Sequence, residues 1–272
     1  MVRGAWGTLL RRLAPPEIYR RLFEPGAGLA RGPSGLADWP RPFVFRSTHL
    51  DGVTVSPGSP FFFDAHVFDL QQPVLPYFRQ AFARLANAGI GLQRGRARLE
   101  RVEQLDLDDR AQTCETEPGP PCSVPLNGTS TQVDAVTVRF LTPTELKIGG
   151  QLADRPEFSV LFSRLRDRIS TLRSLYGAGA LALDFRGLGE RASLVKLGRC
   201  DLLLEHATRR STRTGQAHSL GGFTGEAEYQ GPLTEFLPWL RAARWVGVGR
   251  QTVWGKGDLR VIREHLYEVD FR

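Results

Sequence analysis

The segment TQVDAVTVRF, residues 131–140, sets Val136, Val138 and Phe140 in alternation with Thr137 and Arg139. A period of two is the mark of a strand with one buried face. Downstream, Leu161, Leu165, Ile169 and Leu172 keep the three- and four-residue spacing of an amphipathic helix over 157–176. Strands are expected near 200–206 and 222–230. Pro232 then opens a short helix with Leu233, Phe236, Leu237 and Leu240, and a last strand follows near 252–262. The order βαββαβ predicts a ferredoxin-like, or RRM-like, unit.

Working back toward the start, a less complete version of the same order emerges. GAWGTLLRRL (4–13) reads as a helix, and FVFRSTHL (43–50) and FFFDAHVFDL (61–70) read as strands rich in aromatic residues. Pro76 sits in the first turn of a helix that aligns Phe78, Phe82 and Leu85, with Gly89 at its C-cap and a strand at 95–104. Residues 76–102 and 237–262 echo each other: a helix, Gly-x-Gly, a basic residue, a further glycine and a strand. The fold class expected is α+β, with two tandem ferredoxin-like domains at 1–104 and 131–272. The Asp/Pro/Gly/Ser/Thr-rich segment 105–130 reads as their linker.

The chain of 272 residues carries 36 basic and 29 acidic side chains, a net charge of +7. Only Lys147, Lys196 and Lys256 are lysines, so the positive charge is nearly all arginine, whose planar fork suits phosphate and base stacking. An anionic partner explains that balance, and so does a GC-rich coding bias. No apolar run reaches 18 residues, and the opening MVRGAWGTLLRRLAPP is too short and too basic for a secretory signal, so no membrane is expected and the cytoplasm is the expected location. Cys114, Cys122 and Cys200 fit no zinc spacing and read as reduced thiols. No metal centre and no cofactor is expected.

Chemistry concentrates in RRSTRTGQAHSLGGFTGEAEYQG (209–231) and GVGRQTVWGKGDLRV (247–261). Gly247, Gly249, Gly255 and Gly257 let backbone come close to a ligand, and Arg250 and Lys256 stand between them, a pattern that suits a phosphate backbone. The bland reading is a tight turn with solvated charges. Arg210, Ser211, Arg213 and Gln216 precede His218, the histidine with the most phosphate-binding neighbours. His49 follows Arg46 and Ser47 at the end of a strand and is the second acid/base candidate. His66, among Phe61, Phe62, Phe63 and Phe68, reads as a packed strand residue, and His206 and His265 as exposed strand ends. Tyr229 and Lys256 stand in reserve for proton transfer. Trp245 and Trp254 either stack on bases or fill the core.

Five stretches resemble one family: LFEPGAGLARGPSGLADWPRPFVF (22–45), VTVRFLTPTELKIGG (136–150), PEFSVLFSRLRDRISTLRSLYG (156–177), RRSTRTGQAHSLGGFTGEAEYQGPLTEFLPWL (209–240) and the glycine loop 247–257. They are similar to the CRISPR repeat-processing endoribonucleases of the RAMP superfamily, the Cas-six type. The resemblance implies two ferredoxin-like domains, CRISPR repeat RNA as partner, and metal-free cleavage by the ribose 2′-hydroxyl, leaving a 2′,3′-cyclic phosphate. Its runner-up is a non-catalytic RAMP subunit that holds guide RNA within an effector complex. Three departures stand out. Met1 falls inside the helix motif that a strand precedes in the family, so the first strand of domain one is expected to be missing. Trp245-Val246 replaces a basic or histidine-bearing approach to the glycine loop, and 4–13 holds no histidine.

Overall fold

The computed structural model describes residues 2–26, 39–91, 93–114, 117–128, 131–205, 208–210, 217–219 and 221–266. It divides into two compact units. Unit 1 comprises residues 1–43, 67–124 and 172–179, and unit 2 comprises 44–66, 125–171 and 180–272.

Unit 1 holds helices α1 (Val2–Leu13), α2 (Pro16–Phe23) and α3 (Leu75–Ala88). Strands β1 (Phe43–Arg46) and β2 (Asp64–Val67) pair with each other and carry the chain out to unit 2 and back. A short hairpin, β3 (Glu103–Leu105) with β4 (Ala111–Thr113), follows α3. The core of this unit is aromatic. Trp6, fully buried on α1, lies 4.6 Å from the Phe78 ring and 5.5 Å from Phe23, Phe43 and Phe82. Spacings of this kind add about 0.5–1.5 kcal/mol per ring pair beyond area burial.

Unit 2 is a four-stranded antiparallel sheet in the order β12-β5-β11-β8. The strands are β5 (Val133–Thr144), β8 (Lys196–Glu205), β11 (Gly222–Gln230) and β12 (Leu259–Leu266). Helix α4 (Phe158–Tyr176), then α5 (Phe185–Ala192), connect β5 to β8, and α6 (Leu237–Val246) connects β11 to β12. Two hairpins decorate it: β6 (Lys147–Ile148) with β7 (Gln151–Leu152), and β9 (Thr208–Arg210) with β10 (Ala217–Ser219). With β5 central, this is the complete ferredoxin-like order. Val138 stands opposite Ala227 on one side and Val261 on the other, so the alternating residues of TQVDAVTVRF fall on one buried face. Phe158 meets Tyr229 at 5.1 Å, and Phe162 meets Phe236 at 4.6 Å and Trp239 at 5.8 Å. Truncating any of these buried phenylalanines to alanine removes about 3–5 kcal/mol.

The expected α+β class therefore holds, and the ferredoxin-like order is complete in unit 2. Several boundaries differ from expectation, each with a local reason. The strand expected over 95–104 forms a ladder only at 103–105, because the Ala97 N–H is bonded to Ala86 O at the end of α3 instead of to a strand. The helix expected from Pro232 begins at Leu237, since Leu233–Phe236 close a turn of their own. The last strand starts at 259 rather than 252, because Thr252–Trp254 form a 3-10 turn inside the glycine loop. The strand expected over 43–50 stops at Arg46 and gives way to a 3-10 turn at Thr48–Leu50. Helices α2 and α5 were not expected; α5 is announced by Asp184, whose carboxylate accepts from the Gly187 N–H at 2.8 Å as an N-cap.

Candidate nucleic-acid interface

The glycine loop leaves α6 and returns to β12 across the end of β5. Its glycines have positive φ: 70° at Gly247, 80° at Gly249, 84° at Gly255 and 68° at Gly257. At two of them the protein's own backbone requires the missing side chain. A Cβ on Gly257 would overlap Val248 O, and one on Gly249 would overlap Glu145 O. The loop is thus moulded onto β5, with the Arg250 N–H bonded to Glu145 O at 3.1 Å and the Gly257 N–H to Pro143 O at 3.3 Å.

Where the loop begins, α6 ends, and an α-helix leaves its last four carbonyls without intrahelical partners. All four are taken. The Gly247 N–H bonds to Ala243 O at 2.8 Å, Arg46 Nη2 donates to Arg244 O at 3.1 Å, His66 Nδ1 donates to Trp245 O at 2.8 Å, and Arg168 Nε donates to Val246 O at 2.7 Å. Cations at this end also meet the negative pole of the helix dipole. The basic approach to the loop that Trp245-Val246 lacks in sequence is supplied in space by β1, β2 and α4. Arg46 is buried at 5% exposure, with Nε 3.5 Å from Asp258 Oδ2, and burial pushes its pKa down to about 10. His66 is half-buried; desolvation lowers its pKa, the hydrogen bond to Trp245 O opposes the shift, Arg46 reinforces it, and Asp64 and Asp258 oppose it.

Arg250 is committed. Its Nη1 is bonded to the carboxylate of Glu145, which is itself buried, while half of the guanidinium side chain remains in solvent. Lys256 is different. It is half-buried, and among the described residues it forms no ion pair, yet Asp51 and Glu205 lie within its electrostatic reach. Desolvation lowers its pKa and those two carboxylates pull the other way. Asp51 follows the 3-10 turn that carries His49, and Glu205 ends β8, next to the hairpin β9–β10. The loop also touches β1, where a Cβ on Gly255 would come 3.1 Å from Phe45 O. Lys256 is therefore within electrostatic reach of Asp51, at the end of the His49 turn, and of Glu205, at the end of β8.

His49 is exposed, its ring stacked on the Phe62 ring at 4.8 Å and its Nε2 2.8 Å from Phe62 O. A carbonyl only accepts, so Nε2 carries the hydrogen and Nδ1 keeps a free lone pair. His218 lies in β10 with its backbone opposite Arg209, and Arg210 lies in β9 opposite Ala217. Ser211, Arg213 and Gln216, and also His206, lie outside the described residues. His265 is an exposed residue of β12. Tyr229 leaves the reserve of proton carriers: it is fully buried, its hydroxyl donates to Pro156 O at 2.7 Å, and burial raises its pKa well above the usual phenol value. Trp245 and Trp254 are both half-buried, and Arg244 lies over the Trp245 ring at 5.4 Å. The cysteines are free thiols. Among the described residues no cluster of His, Cys, Asp and Glu could hold a metal ion, and no helix is long and apolar enough to cross a membrane. Sequence reasoning did not find Glu145, Arg168 or Asp258. The readable signal was the glutamate ending a β-strand run in TPTELKIGG, beside a loop rich in arginine.

Residues 138–259, just under half of the chain, match the family described as CRISPR-associated endoribonuclease Cas6. Residues 1–118 match a second family, described only as an N-terminal domain. No curated protein matches. Among solved structures, Thermus thermophilus Cas6 (TTHB231) in a product complex is 21% identical with a TM-score of 0.59, over 95% of this chain and 90% of that one. The same Cas6 in another structure gives 18% and 0.55, over 96% and 89%. A product complex of Cas6 (TTHA0078) gives 17% and 0.52, over 96% and 91%. At these identities the likeness is one of fold. Residues 138–259 thus match the Cas6 family, and nearly the whole chain shares the fold of the Cas6 structures.

Proposed function

We propose that the chain binds CRISPR repeat RNA and cuts the precursor transcript without a metal ion, by attack of a ribose 2′-hydroxyl on the adjacent phosphate. The products are a 2′,3′-cyclic phosphate and a 5′-hydroxyl. The observation that supports this reading is Lys256 on the glycine loop, with Asp51 of the His49 turn and Glu205 at the end of β8 in its electrostatic reach, inside the segment that matches the Cas6 family. His49 Nδ1, with its free lone pair, takes the 2′-hydroxyl proton. The Lys256 ammonium faces the developing charge on the phosphate and returns a proton to the leaving 5′-oxygen. Such a placed base contributes about 10²–10⁴-fold, and a cation opposite the phosphorane lowers the barrier electrostatically. His218 and Arg210, on the hairpin, are the second base candidate and a phosphate contact, and Ser211, Arg213 and Gln216 between them are proposed to bind the same strand.

The test is cleavage of the host's own repeat RNA in EDTA, with a 2′-deoxy substitution at the cut site. A single cut, abolished by the deoxy substitution and slowed at least about 100-fold in His49→Ala, is expected. Tight binding with no cut reassigns the chain to a guide-holding subunit of an effector complex, a reading favoured by the absence of a histidine from α1.

A further inference from the structure

From Leu70 to Leu99 the chain has no acidic residue, and residues 79–101 set six arginines against Glu100 alone. Five of the chain's seven net positive charges therefore lie in this one stretch of unit 1. Arg98 pairs with Glu100 at 3.2 Å and Arg101 with Glu103 at 3.0 Å. Arg84, Arg94 and Arg96 are exposed, and among the described residues none of the three has a carboxylate in ion-pair range. The surface of unit 2 is treated differently: Arg139, Arg186, Arg191, Arg199, Arg241 and Arg260 each face a carboxylate at hydrogen-bond distance.

The backbone holds Arg94 and Arg96 in a closed loop. Gly89, at φ 95°, leaves no room for a Cβ against Arg94 O, and Ile90 and Gly95 exchange N–H···O bonds at 2.9 and 3.0 Å. Arg94 itself sits at φ 50°, a left-handed conformation that an L side chain seldom adopts and that surrounding structure must enforce. Ala97 N–H to Ala86 O, 3.0 Å, ties the outgoing segment to α3. Neighbouring guanidinium groups without counter-charge repel one another, and an anionic polymer relieves that repulsion. Two features choose nucleic acid over an acidic protein. The cations are all arginine, the side chain matched to phosphate. And no exposed large apolar side chain among the described residues falls between 71 and 104, so the buried anchors that a protein interface needs at its centre are missing.

We infer that the loop 89–96, with Arg84, Arg94 and Arg96, is a second RNA contact, one that takes a single strand by its phosphates without reading its sequence. It rests on the reading above that the substrate is RNA. The test is a salt titration of binding to a 2′-deoxy-blocked repeat RNA and to oligouridine, comparing wild type, the triple variant Arg84→Ala/Arg94→Ala/Arg96→Ala and the triple Arg→Lys variant. The alanine variant should flatten the log–log slope by about 2, at about 0.7 per phosphate on a single strand, with both RNAs alike. The lysine variant should keep the wild-type slope, because charge and not local folding carries the effect. If wild type binds RNA and the alanine variant keeps its slope, the second contact is overturned while the endoribonuclease reading stands. A lysine variant as weak as the alanine one also overturns it. Failure of wild type to bind either RNA overturns both.

Discussion

Helices α3 and α6 both end in Gly-x-Gly, and the two ends are finished by different means. At α3 the chain caps itself: the Gly89 N–H reaches Leu85 O and the Ala97 N–H reaches Ala86 O, both from the segment that follows. At α6 three of the last carbonyls are taken by side chains of β1, β2 and α4, and the loop beyond is pressed onto β5. The same spacing of glycines thus marks a self-contained turn in unit 1 and a packed junction in unit 2. What separates them is the tertiary partner, since only the second loop leads straight into a central sheet.

Alanine substitutions turn this contrast into numbers. Gly257→Ala should be the most damaging: the left-handed φ costs an L residue about 1–2 kcal/mol, and overlap with the Val248 carbonyl, which is backbone and cannot swing aside, adds about 1–3 kcal/mol. A loss of about 2–5 kcal/mol is expected from chemical denaturation, along with weakened RNA binding. Gly91→Ala has the same kind of φ, 80°, but nothing lies within 4 Å of the added methyl. Its cost should be limited to the conformational term, about 1–2 kcal/mol. Equal losses at the two positions would mean that the loops are not packed differently after all.

Much of unit 2 was legible because TQVDAVTVRF and the leucines of α4 obey periods set by a single buried face, and burial enforces those periods. Unit 1 read less well. Its core is a knot of aromatic rings, Trp6 with Phe23, Phe43, Phe78 and Phe82, drawn from four elements, of which α2 has eight residues and β1 four, too few for a period to show. In the site, the glycines and Lys256 were visible as local composition. The clamp on α6 was not, because Arg46, His66 and Arg168 converge from positions 78 to 198 residues away from their carbonyls. A lone arginine in the apolar run FVFR was the available hint: a buried guanidinium demands acceptors, and a helix C-terminus supplies them.

The smallest effect sharpens the comparison at the helix ends themselves. His66 is the one titratable member of the α6 clamp near neutral pH, and α3 has no counterpart. Desolvation, with Arg46 beside it, lowers its folded pKa below the ordinary histidine value, although the hydrogen bond to Trp245 O, Asp64 and Asp258 offset part of the shift. Well above about pH 6.5 the imidazole is neutral in both folded and unfolded chains and contributes no slope. As pH falls through that value the unfolded chain takes up the proton first, so stability declines until the folded-state pKa is passed and the loss is complete. Thermal melts of wild type and His66→Gln between pH 8 and 5 check this. Glutamine keeps an N–H for Trp245 O but cannot titrate, so the gap between the two proteins should shift in favour of the variant as the solution is acidified. A gap that stays constant, or moves the other way, would show that the hydrogen bond to Trp245 O and the two carboxylates together balance or outweigh burial at His66.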